Sequence, residues 1–343
     1  QYFLTLVASA DLDNLRTFKP LDDSYQDLLT ALETDWTHNR DEKFWKGVAG
    51  FLGYAFIRGY HRQAILWADR VTDNLSSLPT SLRYLVLNAA LGIYLDSGRI
   101  EEATKFSEIM LQAKDEEDKY AALWRLHGKI NLGYIANIQG EQHKAWDIQR
   151  SALADARQLN IPRALVRSLS MAARAGNSLA MSLRRTEPEH ARRLFEDVDA
   201  LTQEALTLVE PDASLYGFLT LLHSIGLLLQ ERWEAAYTSL KEAQRICLQE
   251  GSLALLMFAF WHESFCQVGM PDGGYERAAL CYGAFCRLRE QMDYKTLEAT
   301  EEQSLQETLK NALGEQRYQQ LLQQVQQLSL KTLVFNDCLT PAP

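Results

Sequence analysis

Apolar residues recur along this chain at three- and four-residue intervals rather than in alternation. They lie in long stretches rich in Leu, Ala, Glu, Gln and Arg. That spacing places them on one face of a helix, and those residue types are the good helix formers, so the chain reads as all-helical. Only 8 prolines and 18 glycines interrupt 343 residues.

The helical segments repeat. One unit runs through Asn131, Leu132, Gly133 and Tyr134, then Gly140, Ala145 and Ala152. It offers a small residue where a first helix meets its partner, a turn glycine, then small residues on a second helix. The unit before it carries Leu87, Leu91, Tyr94, Gly98, Ile100 and Ala103 in the same register, with Glu101 and Glu102 favouring a helix N-terminus. Further copies read Phe51, Leu52, Gly59, Tyr60, Ala64 and Ala68; then Gly226, Trp233, Ala236, Leu240 and Ala243; then Gly274, Tyr275, Ala278 and Phe285. From the small residue of one second helix to the next, the steps are 39 (Ala64 to Ala103), 42 (to Ala145), 91 (to Ala236) and 42 (to Ala278). The step of 91 holds two units, and the hidden one pairs a helix near 162–184 with one near 187–210 that Pro188 opens.

The pattern is that of a tetratricopeptide-like solenoid of antiparallel helix pairs, a right-handed superhelix, with repeats of about 40 residues rather than roughly 34. The expected organisation is capping or linker helices over 1–40, about six helix pairs over 41–291, capping helices over 292–330 and a flexible tail over 331–343. A helix near 22–36 follows Asp22-Asp23-Ser24, and the final pair falls near 294–313 and 314–328.

Charge narrows the function. A net charge of −10 lacks the basic footprint of a nucleic-acid binder, so no direct nucleic-acid contact is expected. No apolar run reaches the ~18 residues of a membrane span, and the N-terminus does not read as a signal peptide. The five cysteines form no C-x-x-C pair, which fits a reducing cytoplasm. The first residue is Gln1 rather than Met, which reads as a part excised from a longer protein.

Three segments together resemble the C-terminal sensor region of bacterial STAND-class signal-transduction ATPases and transcriptional regulators. They are Asp13-Asn14-Leu15-Arg16; Tyr275 to Leu280 with Gly283 and Leu288-Arg289-Glu290; and Leu313 to Tyr318 followed by Leu328-Ser329-Leu330. Lys19-Pro20 departs from that pattern, in which the first element runs straight into a helix. The resemblance implies a receiving module for a ligand or protein signal, attached to an upstream nucleotide-binding domain of the same polypeptide. No G-x-x-x-x-G-K-[ST] sequence occurs here, so ATP hydrolysis is not expected of these residues.

Catalytic and metal motifs find no foothold, and no cofactor is expected. The seven histidines lack metal-ligand spacing. His262, Glu263 and Cys266 share a helix face and read as packing plus a polar contact, and Gly273-Gly274 as a turn rather than a phosphate loop. The helix bearing Arg163, Arg167, Arg174, Asn177 and Arg184 is the informative polar feature. The first four of these share a stripe that either receives a carboxylate or phosphate, or pairs with Glu196, Asp197 and Asp199. The preceding repeat adds His127, Ile130, Tyr134 and Asn137 on its first helix. The expected site therefore comprises His127, Tyr134, Asn137, Arg163, Arg167, Arg174 and Asn177, taking a peptide, protein or small-molecule effector on the concave surface. A stand-alone peptide- or protein-binding scaffold is the alternative to the regulator reading.

Overall fold

A computed structural model describes residues 2–9, 18–38, 40–114, 120–210, 214–292, 294 and 299–335. Its described residues form helices and no strand. They fall into two compact units, 1–213 and 214–343. The Asp13-to-Arg16 element lies outside the described residues.

The first unit begins with α1 (Tyr2–Ala8), α2 (Lys19–Asp23) and α3 (Tyr25–His38). Helix pairs follow: α4 (Glu42–Arg58) with α5 (His61–Thr72), α6 (Thr80–Asp96) with α7 (Ile100–Leu111), α8 (Ala121–Ile138) with α9 (Gln142–Leu159), and α10 (Pro162–Leu183) with α11 (Pro188–Thr207). A 3-10 turn at Leu75–Ser77 precedes α6. Each of the first three pairs turns through a left-handed glycine: Gly59 at φ 76°, Gly98 at 75° and Gly140 at 80°. Those glycines fall where the sequence register places the inter-helix turn. The fourth pair, the irregular one, turns through Arg184 to Glu187 without a positive φ, and Pro188 stands at its N-terminal turn.

The second unit comprises α12 (Ser214–Leu229), α13 (Trp233–Glu250), α14 (Leu253–Gly269), α15 (Tyr275–Met292), α16 (Ala299–Leu313), α17 (Glu315–Gln327) and α18 (Leu330–Phe335). Here the flexible tail expected from residue 331 is corrected. Leu330–Phe335 is helical and buries Leu333 and Val334 against the unit's core, while 336–343 lie outside the described residues. The reason is non-local: Arg277 on α15 donates to the carbonyl of Leu333 at 2.7 Å, and Lys241 on α13 donates to that of Val334. The last carbonyls of a helix have no intrahelical partner, and these two cations supply one.

Small residues set the helix spacing. On α8, a Cβ added to Gly128 would stand 2.6 Å from the backbone oxygen of Ser107 and 3.1 Å from the nitrogen of Leu111. Backbone cannot yield as a side-chain tip does. Gly128→Ala is therefore expected to cost about 2–3 kcal/mol in urea unfolding, the range for overpacking a close contact. An unchanged midpoint would mean that α7 and α8 can separate freely.

Candidate functional site

Helices α8 and α10 are the first helices of adjacent pairs and pack against each other. Together they carry Arg125, Lys129, Arg163, Arg167 and Arg174 and not one carboxylate, in a chain of net charge −10. Two of these cations are occupied nearby: Lys129 pairs with Asp155 on α9 at 2.5 Å, and Arg125 donates to the carbonyl of Ala113 at 2.6 Å.

Arg167 is different. Its Nη2 donates to Asn131 Oδ1 on α8 at 3.1 Å. Among the described residues no carboxylate pairs with it. Enclosure by protein, then the like charge of Arg163, push its guanidinium down to about 10, which leaves it charged at neutral pH. His127 lies in the same field: burial foremost, then Arg167 and Arg163, hold its imidazole well below the ordinary range. Its Nδ1 is buried without a hydrogen-bond partner among the described residues, and so is Asn131 Nδ2 on a residue only 3% exposed. The edge of Trp124 meets the His127 ring at 5.8 Å, and Trp124 stacks on Tyr84 of α6. Arg163, Arg167, His127 and Asn131 thus form one node rich in donors.

A second group lies further along the same two helices. The Arg174 guanidinium sits over the Tyr134 ring, 4.5 Å from its centroid. With Gly133, Asn137, Gln149, Met171 and Ala175 these two line a shallow surface depression. Gly133 is required there, because a Cβ would meet the Gln149 amide nitrogen at 2.5 Å while that amide donates to the carbonyl of Ile130. Asn137 Oδ1 is buried with no hydrogen-bond partner among the described residues.

The sequence-predicted residues therefore gather in two clusters: His127, Arg163 and Arg167 in one, Tyr134, Asn137 and Arg174 in the other. Asn177, 3% exposed on α10, makes no hydrogen bond with either amide atom among the described residues. Pairing of the stripe with Glu196, Asp197 and Asp199 does not hold for Arg167 or Arg174, and Glu196 is taken by Arg192 at 2.5 Å. Asn131 is the residue that sequence reasoning missed. It stands four positions after His127, the spacing that shares a helix face, yet its repeat register pointed to packing.

His262, Glu263 and Cys266 do not converge on a site. Glu263 is buried and salt-bridged to Arg277, while the Cys266 thiol donates to the carbonyl of Trp233. Burial pushes the Cys247 and Cys266 thiols up to about 12, away from thiolate chemistry. No cluster of three or more metal-type ligands exists among the described residues, and no helix there is long and apolar enough to cross a membrane.

No family model and no curated protein sequence matches the chain. Among solved structures, it is similar to the crystal structure of a Rap protein complexed with competence and sporulation factor. The TM-score is 0.58 at 15% identity, covering 93% of this chain and 85% of that one. The fold is a tetratricopeptide-like helical repeat. At that identity the likeness speaks for architecture alone.

Proposed function

We propose that the chain is a non-catalytic binding module that takes a peptide, protein or small-molecule effector on the first-helix face of α8 and α10. The observation that carries this reading is the gathering there, among the described residues, of two arginines without a carboxylate partner and of buried amide and imidazole atoms without a hydrogen-bond partner. Buried polar groups are ordinarily satisfied, so unsatisfied donors and acceptors on one face suit an incoming partner. The similar Rap protein, solved in complex with competence and sporulation factor, supports the view that this architecture serves as a receiver.

The segments that resemble STAND-class regulators extend the reading to a sensor joined to an upstream ATPase. Capture of the effector would bias the ATPase switch only if the two switch states bind it unequally. An upstream P-loop domain in the same reading frame is the expected finding, and a frame without one leaves the stand-alone scaffold.

Binding itself is tested by selecting a random peptide display library on the immobilised chain. Enriched peptides are expected to bind at least tenfold more weakly to a folded Tyr134→Ala/Asn137→Ala protein, as truncating a central contact does. Enrichment indifferent to that double substitution, or none above an unrelated helical-repeat protein, overturns the placement.

A further inference from the structure

We infer that the node formed by Arg167, Asn131 and His127, flanked by Arg163, is a subsite for an oxyanion group of the ligand, a carboxylate or a phosphate. The inference rests on the proposed binding role of this face and names the chemistry that the face selects.

Three observations lead to it. First, Arg167 is half-buried beside a like charge, with one neutral hydrogen bond to Asn131 and no carboxylate partner among the described residues. A partly desolvated charge left uncompensated carries a cost, and structural arginines normally meet that cost with an acid. Even at more exposed positions nearby, cations are paired with acids: Lys129 with Asp155, Arg157 with Glu204 and Arg192 with Glu196. Second, the free valences around the guanidinium are of one kind. Asn131, 3% exposed, turns its Oδ1 to Arg167 and keeps Nδ2, a pure donor, buried without a partner. His127 Nδ1 is likewise without a partner and donates in one of its tautomers. Third, α8 and α10 contribute no carboxylate along their whole length, so the field at the node is positive while the chain as a whole is acidic. A guanidinium fork, an amide N–H and an imidazole N–H converging from two helices match the lone pairs of a two- or three-oxygen anion.

The amide assignment supports the same polarity. Flipping Asn131 would face its NH2 to the Arg167 donors, so the Oδ1-to-arginine orientation is the one that hydrogen bonding permits, and among the described residues it leaves the NH2 end without a partner.

The test uses the intact chain and simple anions. Thermal unfolding is followed in acetate, succinate and inorganic phosphate, each against chloride at equal ionic strength, for wild type, Arg167→Met and Asn131→Leu. Wild type is expected to gain saturable stabilisation from at least one oxyanion. The apparent affinity should fall about tenfold or more in Arg167→Met, the loss of a charge-assisted pair of hydrogen bonds. Without added anion, Arg167→Met should melt at or above the wild-type temperature, because an unneutralised, partly desolvated charge has been removed. A response to the carboxylates alone identifies an acidic side chain or chain terminus as the group received, and a response to phosphate alone identifies a phosphoryl group. An equal response in wild type and Arg167→Met is general salt stabilisation and overturns the inference, as does no response. Peptides selected as above that ignore Arg167→Met yet need Tyr134 and Asn137 would sink the oxyanion subsite and leave the binding face standing. An Arg167-dependent anion response without peptide enrichment would do the reverse.

Discussion

Glu263→Ala is expected to remove about 3–5 kcal/mol from the stability of the second unit, the range for stripping one partner from a buried ion pair. Glu263 is fully buried on α14, and Arg277 on α15 is 8% exposed. Arg277 Nε donates to Glu263 Oε1 at 2.8 Å and its Nη2 to Oε2 at 3.2 Å, while the Gln244 amide donates to Oε2. Alanine leaves the guanidinium in a dry site without its carboxylate. Urea unfolding of the variant checks the loss, and hydrogen exchange locates it. Protection over α18 should fall together with that of α14 and α15, because Arg277 also holds the end of that helix. The double variant Glu263→Leu/Arg277→Met should recover most of the loss, since replacing a buried pair with apolar residues of similar volume is close to neutral. A loss under about 1 kcal/mol in Glu263→Ala would mean that water reaches the guanidinium and that the network does not hold the unit together.

How much of this could be read beforehand depended on whether the cause was local. The repeat register was legible because a helix-to-helix turn of this type needs a left-handed residue. Glycine marks that residue at Gly59, Gly98, Gly140 and Gly273. Glu231 takes the same conformation at φ 59° without being glycine, so the turn before α13 is weaker in sequence than in structure. The irregular fourth pair has no such residue, which is why its consensus is poor. The end of the chain was misread for the opposite reason. Six residues from Leu330 to Phe335 are too few to show periodicity, and the groups that hold them, Arg277 and Lys241, come from 56 and 93 residues away. At the candidate site the arginines stood out because charge is conspicuous in an apolar helix. The role of Asn131 depends on α8 lying beside α10, a relation that no spacing within α8 encodes.

Trp67→Ala is expected to cost the first unit about 3–5 kcal/mol, the range for truncating a buried aromatic. Trp67 on α5 is 2% exposed and stands at the centre of a ring cluster. Trp36 of α3 meets it edge-on at 5.8 Å, Phe51 and Phe44 of α4 approach at 6.4 Å, and the Arg70 guanidinium lies 5.0 Å from its ring. Alanine opens a cavity that three elements border, and rigid rings cannot collapse to fill it. Trp67→Phe, which keeps a ring in the slot, should cost less than half as much. In a stack of helix pairs stability is passed between nearest neighbours, so the damage should be graded along the unit. Amide exchange should accelerate most over α3 to α6 and least over α10 and α11. Under conditions where the variant remains folded, its anion response at Arg167 should match that of wild type, because the node is built from α8 and α10 alone. Equal acceleration over α5 and α11 would show instead that the first unit opens as one cooperative block. Any substitution in its aromatic end would then reach the binding face through global stability rather than through contact.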